Sequence, residues 1–454
     1  MENQNAYSKP VTLKNILRFA IPTIAMSVFM SFYTMVDGLF VSNLIGTGAL
    51  SAINLTAPVI QVVTAISTML ATGGSAVIMK KMGEQKPGEA REDFTFLVLV
   101  NVAVGLVMTI LGYTLLETIF GNMGLSPEVA GYCTSYLSRY LLFTIPILLM
   151  NNFTLYMIAS EKATLSLVCS VAGGVLNIVL DYVLIGVFNM GISGAAIATG
   201  LGYSVTAIAG LFVFSRSSSL LHFTKPAFRL KVLTNAATNG CSEMATALVT
   251  GIITMMFNWT MLRYVGEDGI AAVTIIMYVL MFASSLYTGY SYGVAPMLSY
   301  YHGEKNQEKL KKLVLTSLKV IASISLVTVI ASFTATKPLV SIFARPDNPV
   351  YNLAVTGNRI CTLALFFIGF NIFASGMFTA LSNGIVSAVL AFSRSFVFML
   401  VTMLVLPAFL GVNGIWLATP AAELMAMLLS VYMFLKSHAS QQSAINESHS
   451  MLSK

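Results

Sequence analysis

Asp37, in FYTMVDGLFV, and Asp181, in GGVLNIVLDYVLI, are carboxylates set inside long apolar runs. An ionisable side chain in the middle of a hydrocarbon-spanning helix costs at least about 2.5–3.5 kcal/mol, so it usually has a partner or a task. Asn177 precedes Asp181 by four residues, which puts amide and carboxylate on one helix face, a turn apart. Thr199 ends the stretch GISGAAIAT and adds a hydroxyl. Carboxylate, amide and hydroxyl oxygens together suit a hard cation such as Na⁺, by the ligand logic of other hard cations. The same acids could instead carry protons, because carboxylates crowded in a low-dielectric site repel one another and favour a protonated partner. Thr199 also has a plainer reading as part of a small-residue packing stretch.

The second half has acids of its own. Glu423, in TPAAELMAM, and Glu243 are candidates for a substrate or second cation site. Glu243 falls near the start of its span, where it reads equally as a solvated interfacial charge. Arg139 and Arg394 read as side chains that snorkel or pair with carboxylates. His222, His302, His438 and His449 all fall in loops or the tail, which leaves no histidine relay within the membrane. Cys133, Cys169, Cys241 and Cys361 lack metal-ligand or disulfide-framework spacing and read as small packing residues.

The elements that must position these groups are membrane helices. Of 454 residues 56% are hydrophobic and 9% charged, against about 25% charged in soluble proteins, so no water-soluble surface can be assembled. Apolar runs of about 20 residues, the length that crosses the hydrocarbon layer, predict spans at 19–42, 50–79, 94–120, 130–158, 163–187 and 192–215, then 235–262, 270–299, 313–336, 352–380, 385–409 and 413–436. By residue count from the span ends, Asp37, Asp181 and Thr199 reach a similar depth. Pro22, Pro58 and Pro296 predict kinks. Residues 1–14 show no cleavable signal, so the first span is expected to stay as an anchor.

Lysines and arginines of the loops cluster on one side, around 9–18, 80–91, 216–231 and 305–312, with Arg263, Lys337 and Arg345 on the other. By the positive-inside rule both termini and the central link face the cytoplasm of a bacterial or archaeal cell, in its inner membrane. The basic balance, a net charge of +7, thereby serves orientation and not nucleic-acid binding.

A shift of 220 residues lays one half on the other: Gly46 meets Gly266, Gly83-Glu84 meets Gly303-Glu304, Gly191 meets Gly411, Gly194 meets Gly414 and Ala198-Thr199 meets Ala418-Thr419. An even number of spans per half gives both the same orientation, with a pseudo-twofold axis along the membrane normal. The expected fold class is an all-α membrane protein of twelve transmembrane helices in two pseudosymmetric six-helix bundles. The expected divisions are 1–215, a link at 216–231, 232–436 and a mobile polar tail at 437–454. Asp37 and Asp181 map onto Phe257 and Val401, so the scaffold repeats but those charges do not, and the substrate route is expected in the cleft between the halves. Neither a helical HExxH nor clustered aspartates for Mg²⁺ and pyrophosphate occurs, which argues against an enzyme.

The Gly83-Glu84 and Gly303-Glu304 loops, LNIVLD ending in Asp181, and GISGAAIAT ending in Thr199 resemble the multidrug and toxic compound extrusion (MATE) family over essentially the whole chain, in its DinF-like and MepA-like prokaryotic branches. The resemblance implies the MATE/MOP fold and an antiporter that exports small, often aromatic organic cations in exchange for Na⁺ or H⁺ by alternating access. It implies no cofactor beyond the coupling ion, and the chain is expected to act as a monomer in the lipid bilayer. It places Asp37, Asn177, Asp181 and Thr199 around a cation site in the first half. Glu243 carries over weakly, because the second half departs from branches with a defined acidic site there. A flippase for lipid-linked precursors is the alternative; such proteins need cationic cleft residues for pyrophosphate, whereas this sequence offers acidic ones.

Overall fold

The computed structural model describes the backbone at residues 7, 9–44, 47–121 and 127–452, and the side chains of 7, 9–36, 52–53, 55–116, 118, 120 and 127–436. Among these residues the regular structure is entirely helical. The first half comprises α1 (Leu13–Leu44), α2 (Thr47–Gly83), α3 (Pro87–Gly121), α4 (Pro127–Leu141 and Thr144–Ala159, bent by 54°), α5 (Ala163–Val187) and α6 (Gly191–Phe214). The second comprises α7 (Leu230–Tyr264), α8 (Glu267–Gly303), α9 (Gln307–Thr334), α10 (Pro349–Ala380), α11 (Gly384–Leu410) and α12 (Val412–Leu452). Eleven are individually long and apolar enough to cross a membrane, and the bent α4 makes a twelfth. Leu106, Val107, Ile110 and Leu111 on α3 are exposed, as are Leu326, Val327, Ile330 and Phe333 on α9. Such stripes face acyl chains in a bilayer, where apolar exposure costs nothing.

Local chemistry explains the helix ends and breaks. Asn306 caps α9 by accepting from the Lys309 amide at 3.1 Å, and Asn348 caps α10 by accepting from the Val350 amide at 2.9 Å. The bend in α4 falls just before Pro146, whose ring displaces the carbonyl four residues back and whose nitrogen donates nothing. Pro22, Pro58 and Pro296 lie instead within uninterrupted helices. Two π-helical turns interrupt the ladder, Tyr182–Val187 at the end of α5 and Ser393–Phe398 within α11.

The 220-residue repeat is written into the backbone. Gln85 and Lys305 both take left-handed conformations, at φ 59° and 56°, and so do Gly191 and Gly411, at 56° and 58°. The break at 142–143 in α4 recurs as a 3₁₀ turn, Thr362–Ala364, in α10. Between the halves, α2 packs on α7 and α1 on α8, through glycines that let backbones touch. A Cβ at Gly83 would lie 2.0 Å from the Tyr300 carbonyl oxygen, and one at Gly303 would lie 2.0 Å from that of Lys80. The shift exchanges these two contacts, so this crossing is its own image. Gly73 and Gly240 form a second seam, each 1.9 Å in the same sense from the carbonyls of Ala236 and Met69. All these approaches lie toward the end of the bundle that carries the link.

The link is docked on the first half. Arg91 Nε donates to the Leu220 carbonyl at 3.1 Å, Lys162 Nζ to Ser219 Oγ at 3.1 Å and the Thr224 amide to Thr95 Oγ1 at 3.0 Å. Arg229 pairs with Glu92 at 2.8 Å and with buried Asp93 at 3.2 Å; Lys81 also pairs with Asp93. Residues 437–452, expected as a mobile tail, continue α12 to Leu452; a helical register already running through Lys436 needs no new nucleus to extend. Their side chains lie outside the described residues. All four cysteines are free, and Cys133, Cys169 and Cys361 are buried.

Candidate functional site

In the first half, a glycine seam positions the polar cluster. A Cβ at Gly173 of α5 would sit 2.5 Å from the Gly202 carbonyl oxygen of α6, and the reverse contact is 2.8 Å. This approach brings Asn177 and Thr199 together: Asn177 Nδ2 donates to Thr199 Oγ1 at 3.3 Å, and Thr199 Oγ1 donates to the Ala195 carbonyl at 3.0 Å. Asn177, Asp181 and Thr199 are all buried. Among the described residues Asn177 Oδ1 has no hydrogen-bond partner, so an amide oxygen stands ready a turn from the Asp181 carboxylate. Helix α1 covers the site, with Phe29 and Tyr33 against Gly174. Asp37 follows Tyr33 by four residues, but its side chain lies outside the described residues. A void of about 20 Å³, bounded by Tyr33, Ser170, Gly174 and Tyr203, lies nearby; this is room for about one water. Buried carboxylate, amide and hydroxyl oxygens fit a Na⁺ ion, and equally a proton on the acid. Residues Asn177, Asp181 and Thr199 would hold that ion, whose charge would offset the buried acid.

The second half holds the larger space. A cavity of about 440 Å³ is walled mainly by α7, α8, α10, α11 and α12, with Thr72 and Ser75 of α2 and Leu155 of α4 closing one side. Lined from both halves, this cavity borders the α2–α7 crossing, where Gly73 and Gly240 let the two backbones touch. Glu423 on α12 accepts from Arg394 Nε at 2.8 and 2.9 Å and from Asn371 Nδ2 at 2.7 Å. Asn371 Nδ2 also donates to the Glu423 carbonyl at 2.9 Å, and its Oδ1 accepts from Ser430 at 3.3 Å. Arg394 thus pairs with a carboxylate, as its place in an apolar span demands; Arg139 is exposed. Thr419, one turn before Glu423, lines the same wall.

Glu243 lies deeper than the sequence placed it. Helix α7 begins at Leu230, so Glu243 is about 20 Å along it at 1.5 Å per residue, on the cavity wall and not at the interface. Its carboxylate makes no hydrogen bond or salt bridge among the described residues. Thr246, Thr250 and Thr254 continue from it along the cavity face. Each hydroxyl donates to the carbonyl four residues back, at 3.0, 2.8 and 3.0 Å, which turns its lone pairs to the cavity. Two carboxylates against one guanidinium leave the chamber with one formal negative charge.

Asn371 and Arg394 carry more of this geometry than sequence reasoning assigned them. Asn371 had a signal: its 220-shifted counterpart is Asn151, another polar residue inside an apolar span, which donates to Ser67 Oγ at 2.9 Å. Arg394 sits in a π-helical turn, and Asp181 immediately precedes the other. Such turns re-aim side chains and gather at functional sites.

The Glu423–Arg394 pair also makes a stability prediction. Glu423→Ala strips the Arg394 guanidinium of its hydrogen-bonded carboxylate inside the bundle and should cost about 3–5 kcal/mol, whereas Arg394→Met with Glu423→Met should cost far less. Thermal unfolding in detergent checks this; equal losses for the single and double variants would refute it.

The model of the MatE family matches residues 22–183 and again 244–405. The chain is 23% identical over 434 residues to the multidrug export protein MepA of Staphylococcus saprophyticus, covering 94% of this chain and 95% of that one. Among solved structures it is similar to an outward-facing multidrug resistance MATE family transporter of the MOP superfamily, with a TM-score of 0.91, 22% identity and coverage of 97% and 99%. It is likewise similar to MATE in complex with MaL6, with a TM-score of 0.90, 23% identity and coverage of 98% and 100%.

Proposed function

Because the chain belongs to the MatE family, whose members are membrane transporters, we propose that it is an ion-driven antiporter that exports small organic cations by alternating access. The observation that carries this reading is Glu243, a carboxylate without a hydrogen-bonding partner among the described residues, deep in the bundle on the wall of a 440 Å³ cavity. A charge kept there against its insertion cost is matched by a cationic ligand. The apolar walls, with Phe257, Met277 and Tyr292 among them, suit an aromatic body. In this reading Asp37, Asn177, Asp181 and Thr199 bind the coupling Na⁺ or H⁺ in the first half, and Glu243 and Glu423 serve the substrate chamber in the second. Loop charges put both termini and the link in the cytoplasm. The halves are joined at the link end, so the state described is outward-facing. The pairing of Arg394 with Glu423 disfavours a pyrophosphate-binding flippase, since the chamber has no surplus positive charge.

The test is efflux of an ethidium-like cation from proteoliposomes under separately imposed Na⁺ and H⁺ gradients. One gradient should raise the rate at least about tenfold, by the 5–150-fold range typical of coupled sites, and the ionophore that dissipates it should remove the gain. No acceleration under either gradient, with translocation of a labelled lipid-linked oligosaccharide instead, would overturn the reading.

A further inference from the structure

We infer that the link and the first turn of α7 anchor anionic phospholipid in the leaflet at the link end. Phe228 and Leu230 enter the acyl boundary, and Lys225 and Lys231 meet the headgroup phosphate. This goes beyond the exporter reading and holds whatever the chain carries. Phe223 and Phe228 belong to one short segment but face opposite ways. Phe223 stacks on buried Phe94 of α3, with ring centroids 5.3 Å apart. Phe228 is 79% exposed, its ring edge-on to that of Phe96 at 5.7 Å, and Leu230 is 71% exposed. In water such exposure forfeits the gain of burying two large apolar side chains. The surroundings are not those of a water-facing loop. At 1.5 Å per residue, Phe96 lies about 13 Å along α3 from Pro87. From there Leu99, Leu106 and Ile110 carry an exposed apolar stripe along the same helix. Phe228 thus continues the lipid-facing surface.

Charge selects the kind of lipid. Most cations around the link are already spent: Arg229 on Glu92 and Asp93, Lys81 on Glu89 and Asp93, and Arg91 Nε on the Leu220 carbonyl. Lys225 and Lys231 are exposed, and their ammonium groups make no ion pair or hydrogen bond among the described residues. They flank Phe228 and Leu230 in sequence, so two free cations bracket two outward apolar side chains. A lysine stem lies along apolar surface while its head reaches the phosphate level. The chain carries no Asp or Glu between Asp181 and Glu243, so no acid of the segment itself repels a phosphate. A zwitterionic headgroup would bring its own ammonium toward these lysines, whereas an anionic one would not. An amphipathic segment of this kind, basic on one side and aromatic on the other, is the pattern of an interfacial anchor.

Native mass spectrometry of the purified protein, titrated in detergent with phosphatidylglycerol or with phosphatidylcholine of the same chains, counts the lipids bound and gives their affinities. The tightest phosphatidylglycerol should exceed phosphatidylcholine by about 25-fold, fivefold for each lysine at an anionic headgroup. Lys225→Gln with Lys231→Gln should bind the two lipids alike. Lys86→Gln with Lys305→Gln, which removes exposed lysines next to Glu84 and Glu304 at the same end of the bundle, should keep the preference. Depth is read separately, by nitroxide labels in nanodiscs on a background without native cysteines. A label on Phe228→Cys should respond more to oxygen than to a water-soluble nickel chelate, and one on Ser217→Cys, exposed in the same link, should respond the other way. Equal affinities in the wild type, a preference undiminished in the Lys225 and Lys231 double variant, an equal loss in the Lys86 and Lys305 variant, or a label at 228 that sits in water would each rule the anchor out.

Discussion

Asp181→Asn is expected to cut gradient-driven efflux by about 100-fold, the upper part of the range for coupling between two sites. Asparagine keeps the size of the side chain and can still hydrogen-bond, so the buried packing of α5 against α6 survives. What it loses is the charge that offsets a coupling cation taken out of water; without that charge the desolvation cost is unmet. Asn177→Leu removes one neutral oxygen donor and Thr199→Val another, so each should cost less, about tenfold. Asp37→Asn should act in the same direction as Asp181→Asn. Substrate counterflow without an imposed gradient should persist in all four, because the defect lies in coupling. The measurement is initial efflux rate in proteoliposomes, with and without the gradient. Wild-type gradient-driven efflux in Asp181→Asn would remove the first-half cluster from the mechanism.

Hydropathy placed all twelve spans, but not their ends. Helix α1 starts at Leu13, ahead of the apolar window at 19, and α9 starts at Gln307, ahead of 313. Hydropathy reports the thickness of the lipid, whereas helix ends answer to caps such as Asn306 and Asn348. Proline alone did not mark where a helix breaks. Pro58 and Pro296 sit in unbroken helices, while the 54° bend lies beside Pro146, where the chain also turns through Leu142 and Phe143. A single missing hydrogen bond permits a bend, and the packing around it decides whether one forms. The two π-helical turns have no composition signal at all.

The site was legible where spacing alone suffices. Asn177 and Asp181 share a face by the four-residue rule, and similar depth brought Thr199 to Asn177. Glu243 was read as shallow because the predicted span opened at 235, whereas α7 begins at Leu230. Thr234, Asn235 and Thr238 are exposed along this helix, whereas Asn239 is buried. The chamber was legible only in part: Glu423 and Glu243 stood out as acids of the second half, but they stand at positions the repeat does not pair with Asp37 and Asp181, so spacing alone did not set them around one cavity. Pseudosymmetry conserves backbone contacts such as Gly83 with Gly303, and places no such constraint on charges that only one half uses.

Alanine at Gly83 and Gly303 together should shift the protein away from the state in which the halves are joined at the link end. Each added Cβ would stand 2.0 Å from a carbonyl oxygen across the crossing of α2 with α8. Neither backbone can give way without separating the helices, because the obstacle is main chain and not a side chain that can rotate. Overpacking of this kind costs about 1–3 kcal/mol per site, and 2 kcal/mol moves a two-state population by about 30-fold. The cost falls only on the joined state. If alternating access parts the helices here, the opposite state gains and turnover slows, since the return to the joined state becomes uphill. Spin labels at Lys86 and Lys305, both exposed in the short loops after these glycines, would read the change in a background without native cysteines. The wild type should give mainly the short distance, and the double variant mainly a longer one. Gly88→Ala, with open space where its Cβ would stand, should leave the distribution unaltered. A double variant that is folded, transports at the wild-type rate and keeps the short distance would show that this crossing never opens, and that the halves rock about it as a fixed joint.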